Sequence, residues 1–265
     1  MPNSPTLALA ITVSGFLAIQ DVIPSNVTPQ RDSQGVSILN ASTKASGEDG
    51  THDVVAIGTI TMSDGPDARV GKVVLRFRGT SQTKEEEQFA SGNRTLIYSG
   101  TEGAQIANSA FTLLSVELAL SGRGQDMPGQ IVSEAVMNPD YLVQAIGSEL
   151  IDGVLCFHVR VQNSFASRNE MKEYAAVSRK DIWIDQSTWL VRRISYETRA
   201  ASGAAPALPV EVSYSDYRNV GHMFMPFKIT ELRNGMPWSV ISIDQETVDN
   251  GLTDADFPVT SGAAQ

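Results

Sequence analysis

A mainly β chain with minor α content is the fold class this sequence predicts, and three observations predict it. From Lys180 to Phe257 short runs alternate apolar and polar residues, the period-2 pattern of strands with one buried face. Between such runs stand Asp152-Gly153 and Asn234-Gly235, dipeptides whose readiness for positive φ makes them hairpin turns. Helical spacing is confined to a few short stretches. A meander this long must close, stack or curl around something, because a flat sheet leaves an apolar face uncovered. The expected architecture is therefore a curled antiparallel sheet with one or two helices packed on its concave face.

Element by element, Leu7 to Ile19 is an apolar run of signal-peptide length, too short to span a bilayer, although Met1 to Thr6 carries no Lys or Arg. Residues 1–29 are expected to be a signal or targeting segment, running into a polar Pro24 to Gln34 linker. Residues 30–258 form one domain and 259–265 a flexible tail. Val36 to Ser46 reads as a short helix stopped by Gly47. Strands follow at Val54 to Met62 and Val70 to Arg78, joined by the turn Ser63 to Asp67, and then at Thr83 to Phe89 and Arg94 to Tyr98. Glu85-Glu86-Glu87 reads as a solvated or edge strand, where charge deters edge-to-edge pairing.

Phe111, Leu114 and Leu118 recur at helical spacing, so Asn108 to Leu120 reads as an apolar helix ended by Gly122 and Gly124. Ile131 to Met137 is a second, shorter helix before Asn138-Pro139. Strands resume at Tyr141 to Leu150 and Val154 to Val161, and Asn163 to Val177 is a polar insertion. The remaining strands are Lys180 to Asp185, Trp189 to Glu197, Val210 to Arg218, Met225 to Leu232 and Trp238 to Val248.

Composition narrows function. A net charge of -10 and a pI of about 4.8 disfavour nucleic acid and anionic membranes as partners, since no basic patch offsets them. The single cysteine, Cys156, excludes an intramolecular disulfide, and none follows the apolar run to carry a lipid anchor. His52, His158 and His222 lie in no metal-ligating spacing, and no nucleophile elbow, P-loop or dinucleotide fingerprint is present. The Cys156/His158 pair shares a strand face but sits in no nucleophile motif. Neither enzymatic activity nor a cofactor is expected. The Asn-X-Ser/Thr triplets at Asn26, Asn40 and Asn93 matter only in a eukaryotic secretory pathway.

The strand Lys180 to Asp185, the segment around Tyr214-Ser215-Asp216-Tyr217-Arg218 with Met225-Pro226-Phe227, and the closing Asn250 to Phe257 carry a resemblance. The chain resembles the LolA/LolB-like lipoprotein-carrier superfamily, and within it uncharacterised bacterial envelope proteins, over roughly Val36 to Phe257. The resemblance implies an open half-barrel, helices across its concave side, an apolar cavity for acyl chains, and a periplasmic or secreted location. A lipid or acylated protein would be the ligand and an envelope protein a transient partner, with oligomeric state left open. The lining expected on strand faces is Val73, Leu75, Phe77, Leu155, Phe157, Val159, Ile182, Ile184, Phe227 and Ile229. Phe111, Leu114 and Leu118 join it from the mid-chain helix. Each of these positions also suits ordinary core packing. The alternative is an envelope sensor or protein-interaction module presenting Tyr214, Tyr217, Trp183, Trp189 and Trp238 as a binding strip.

Overall fold

The computed structural model describes residues 30–50, 52–63, 65, 67–198 and 206–260. The expected targeting segment, most of the linker, part of the Ser63 to Asp67 turn and nearly all of the tail lie outside them. The strands are β1 (Asp53–Met62), β2 (Arg69–Arg78), β3 (Gln82–Phe89), β4 (Gly92–Ser99), β5 (Glu102–Ala107), β6 (Ala110–Leu113), β7 (Tyr141–Ile151), β8 (Val154–Asn163), β9 (Lys180–Asp185), β10 (Val191–Thr198), β11 (Leu208–Val220), β12 (Met223–Arg233) and β13 (Met236–Val248). The helices are α1 (Ser33–Ser46), α2 (Val116–Gly122) and α3 (Pro128–Met137). Short 3-10 segments follow β8 and β13.

All strands form one 13-stranded sheet in the order β6-β5-β4-β3-β2-β1-β13-β12-β11-β10-β9-β8-β7, antiparallel at every pairing and not closed into a barrel. The order is a meander cut once. From β1 the chain steps outward to the β6 edge, then crosses to β7 at the opposite edge and steps back until β13 lies beside β1. The crossing segment holds α2 and α3. It must pass over one face of the sheet, which it covers together with α1.

Turn chemistry sets the registers. Asp152 and Gly153 (φ 51° and 80°) and Asn234 and Gly235 (φ 50° and 73°) adopt the positive φ values that a two-residue hairpin loop needs. Gly58 marks a register shift in the β1–β13 pairing, and a Cβ there would come within 2.1 Å of the Ser242 carbonyl oxygen. Asp32 caps α1 by accepting from the amides of Gln34 and Gly35, which starts the helix earlier than apolar spacing alone predicts. Its carboxylate also accepts from Ala145 N–H at 3.0 Å, tying α1 to β7.

The mid-chain helix is shorter than the sequence pattern predicts. Asn108 and Ser109 (φ 49° and 69°) form a hairpin turn instead, with Ala107 opposite Ala110, so Phe111 lies on β6. Leu114 lies between β6 and α2, and of the predicted helical trio only Leu118 is helical. The 3.6-residue spacing is met by a strand, a bend and a short helix in succession. β5 carries no clear sequence signal. β3 corrects a second expectation: it is internal, flanked by β2 and β4, with Glu85 and Glu87 only 5% and 2% exposed.

The main core lies between α1, α3 and the inner face of the sheet. Val73, Leu75 and Phe77 of β2, Val159 and Val161 of β8, Ile182 and Ile184 of β9, and Phe227 and Ile229 of β12 meet Ile38, Leu39, Ile131 and Val132 from the helices. Burial of each such side chain contributes roughly 1.5–3 kcal/mol.

Candidate functional site: a charged chamber under the crossover

The inner face changes character along the rungs of the sheet. Register places Val73, Leu75 and Phe77 of β2 opposite Glu87, Glu85 and Thr83 of β3. The next strand sets Arg94, Leu96 and Tyr98 against those same residues. One strand therefore separates an apolar row from an ionisable one.

That ionisable row faces Glu231 and Arg233 of β12 across a chamber of about 180 Å³. β3 and β12 stand four places apart in the sheet, which is about 19 Å along a flat one. The sheet must curl for both to line one chamber. Its roof is the crossover: Leu114, Leu118, Ser121, Gly122, Gln125 and Asp126. Tyr196, Val210 and Trp238 complete the wall.

Some charges inside are matched. Arg94 donates to both oxygens of Glu87 at 2.6 and 2.5 Å, the fork geometry of a strong ion pair. Arg233 donates to Glu231 at 2.6 Å and lies 3.9 Å over the Trp238 ring. Glu85 shares a hydrogen bond with Glu87 but meets no cation of its own, and Asp126 is left over. Burial pushes Glu85 well up from the usual carboxylate range, with Asp126 and Glu87 adding repulsion. Burial likewise raises Asp126 to about 7, helped by the negative fields of Glu231 and Glu87.

Asp126 is 7% exposed, and among the described residues its carboxylate has neither a hydrogen bond nor an ion pair. Its place is set by its neighbour. The Gln125 carbonyl accepts from the Tyr214 hydroxyl at 2.5 Å, and the Gln125 side chain accepts from the Tyr196 hydroxyl. The Tyr98 hydroxyl also enters the chamber without a hydrogen-bond partner among the described residues. Gly122 is what admits it: a Cβ there would stand 2.6 Å from that hydroxyl.

A second cavity, about 340 Å³, opens on the other side of the same crossover. Arg123 pairs with Glu134 there, and Lys180 enters from the inner row of β9. The Lys180 ammonium donates to the Ser121 carbonyl at 2.8 Å and lies 4.3 Å from the Tyr196 ring centre. Burial, with Arg123 nearby, depresses it to about 7. The segment from Leu120 to Asp126 thus partitions the two cavities.

Of the residues expected to line an acyl cavity, Leu114 and Leu118 line the charged chamber. Val73, Leu75, Phe77, Val159, Ile182, Ile184, Phe227 and Ile229 sit in the main core, with Phe157 packed against it. Leu155 is 49% exposed near the β7–β8 turn, and Phe111 is half-buried on β6. The structure does not assemble the expected aromatic strip. Tyr214 is buried, Trp189 stacks on Phe157 at 5.1 Å, and Trp183 stacks on His158 at 4.5 Å.

His158 shares its ring nitrogens between Glu149 and Asp181, both at 2.7 Å, while the buried Cys156 thiol donates to the Val154 carbonyl. His52 and His222 meet at 3.1 Å. Among the described residues, no group of three or more His, Cys, Asp or Glu is placed to hold a metal.

No protein family and no curated protein matches this chain in sequence. Solved structures do match it in fold. A LolA superfamily protein from Nitrosomonas europaea aligns with TM-score 0.53 and 20% identity over 84% of this chain and 97% of its own. A DUF1329 family protein from Desulfovibrio piger gives 0.54 and 16%, over 87% and 99%. A domain from Vibrio parahaemolyticus named for outer membrane lipoprotein sorting gives 0.55 and 12%, over 84% and 96%. The protein has the LolA-like fold. No described helix is long and apolar enough to cross a membrane.

Proposed function

We propose that this protein is an envelope binding protein that sequesters a lipid or a lipidated protein between its curled sheet and the crossover, without chemistry. The observation that carries the reading is the fold itself: an open antiparallel sheet whose concave side is covered by α1 and the crossing segment, similar in fold to a domain named for lipoprotein sorting and to a LolA superfamily protein. Leu96, Leu114 and Leu118 give the chamber an apolar flank along which an alkyl chain can lie. Each buried methylene contributes about 0.8 kcal/mol, so a few suffice to hold an amphiphile reversibly. The absence of any catalytic constellation in the sequence is in keeping with binding alone.

Native mass spectrometry of gently purified protein, followed by solvent extraction, tests this. A stoichiometric amphiphile displaced by another is the expected result. A protein that stays unliganded when lipids and lipopeptides are offered overturns it.

A second reading, a protein-interaction module, is favoured by one feature. Ile146, Leu150 and Leu155 are exposed apolar residues on the β7–β8 hairpin, and β7 is the last strand of the sheet, its edge met by residues 30–32 at Val143 and Ala145 and by no strand beyond them among the described residues. Unpaired edges with apolar side chains recruit partners. Saturable binding of a protein partner that Leu150→Lys abolishes, with no lipid uptake, would favour it.

A further inference from the structure

We infer that the chamber beneath the crossover is an ammonium site: it takes the primary amine of an amphiphile between Asp126 and Glu85, with the alkyl chain leaving past Leu96, Leu114 and Leu118. This deepens the lipid-binding reading by naming the headgroup chemistry, and it rests on that reading for the attached chain.

Three carboxylates, Glu85, Asp126 and Glu231, line the chamber with two guanidinium groups, Arg94 and Arg233, and Arg94 is itself neutralised by Glu87 behind it, so the enclosure lacks positive charge. Both guanidinium groups are committed, Arg94 to Glu87 and Arg233 to Glu231. The acceptors left over converge on the cavity. Among the described residues Asp126 is buried and unpartnered, and the Tyr98 hydroxyl lines the same chamber unpartnered as well.

An ammonium group brings three donors and one positive charge. It would find a carboxylate, a phenolic oxygen and aromatic walls from Tyr196 and Trp238. Water alone would leave the charge imbalance in place, to be met by keeping protons on the carboxylates, and their raised affinity for protons is what burial produces here. A bound cation would displace those protons.

The test compares two probes of equal chain length, octylammonium and octanol, titrated into the wild-type protein by calorimetry and by tryptophan fluorescence, since Trp238 lines the chamber. Octylammonium is expected to bind about tenfold tighter or more. Its affinity should rise from about pH 6 to about pH 8 as protons leave Asp126, while octanol binding stays flat. The groups facing Asp126 are Glu85, Glu87, Arg94, Tyr98, Tyr196, Tyr214, Glu231 and Arg233, and burial raises Glu85 and Glu231 in the same direction as Asp126.

Asp126→Asn should bring the two probes within about twofold of each other. If that variant fails to fold, the wild-type comparison and its pH profile decide alone. Equal binding of the two probes, or none of octylammonium, overturns the inference.

Monomeric dioctanoyl phosphatidylethanolamine and dioctanoyl phosphatidylglycerol then separate the sources. Preference for the former assigns the site to an aminophospholipid headgroup, and binding of octylammonium alone assigns it to simple amines. If octanol and phosphatidylglycerol bind as well as the amines, amphiphile binding stands and the ammonium site falls. If octylammonium binds and no lipid does, the ammonium site stands and the lipid-binding role falls.

Discussion

Two parts of one concave surface obey opposite rules. Along β2, β8, β9 and β12 the inner row is aliphatic and aromatic, filled by α1 and α3 to the point where Val73, Val159, Ile182 and Ile184 have no measurable exposure. One strand away, β3 turns Glu85 and Glu87 into the same interior, and the crossover adds Asp126. The first region stabilises the fold through area removed from water. The second does not, because taking carboxylates out of water costs several kcal/mol each unless fully paired. A protein keeps such a region for specificity or for a ligand. Burial and hydrophobicity are therefore separate variables even on adjacent rungs of one sheet.

A reciprocal swap on a single rung breaks the comparison most sharply. Leu75 and Glu85 face each other across β2 and β3. Leu75→Glu puts an unpaired carboxylate into the aliphatic row and should cost at least about 4 kcal/mol, enough to abolish cooperative unfolding in urea. Glu85→Leu removes a buried acid from a crowded acidic site and should stabilise by about 1–3 kcal/mol, read as a raised denaturation midpoint. Destabilisation by both substitutions would mean that the chamber is as tightly specified as the core.

Much of this contrast was legible in the sequence, and the rest was hidden for definable reasons. Period-2 alternation placed the strands, and Asp152-Gly153 and Asn234-Gly235 placed two hairpins, because positive φ is a local requirement written in one or two residues. The same alternation puts Glu85 and Glu87 in phase with Thr83. Yet charge argued for solvent, and which face a strand buries is decided by neighbours distant in sequence. The sequence pattern predicts too long a mid-chain helix because Phe111, Leu114 and Leu118 satisfy helical spacing across a hairpin end, a bend and a helix. Asp126 carried no signal at all. Its role comes from a crossover whose path depends on the order of all thirteen strands. Lys180 was legible as a strand residue, but not as the buried cation that closes the inner row of β9.

The pH dependence of stability sharpens the comparison at an intermediate scale. Asp126 in the folded protein holds its proton up to about 7, against a model-peptide value of 3.8. The folded state therefore binds more protons than the unfolded chain between those values, and stability contributed by neutral Asp126 is present in full below 3.8 and lost as pH rises through about 7. Glu48, raised to about 7, and Glu246, raised to about 8, act in the same direction. Lys180 acts above them. Depressed to about 7 from 10.5, it binds fewer protons folded than unfolded, so stability recovers as pH climbs through that window. The expected profile falls from about pH 4.5 to a minimum near pH 7–8 and then rises. Asp126→Asn should remove part of the fall, on the order of 2–4 kcal/mol. Urea midpoints measured across pH check this, and parallel profiles for wild type and variant would show that Asp126 ionises as it does in water.

The finest test sits on the boundary itself. Thr83 belongs to the inner row of β3, opposite Phe77, and donates to the Gln130 side-chain oxygen at 3.0 Å. The Gln130 amide in turn donates to the carbonyls of Gly79 and Gln82 at 2.7 and 3.1 Å, clamping the β2–β3 turn to α3. Thr83→Val preserves shape and removes one donor, and leaves the Gln130 amide contacts in place. The loss should be about 1 kcal/mol, or roughly 2–4 °C in Tm for a chain of this size. Because Thr83 bears no charge, the pH profile should shift down without changing shape. A changed shape would mean that the clamp at the edge of the aliphatic core also fixes where the chamber's carboxylates stand, and that the two regions are mechanically one.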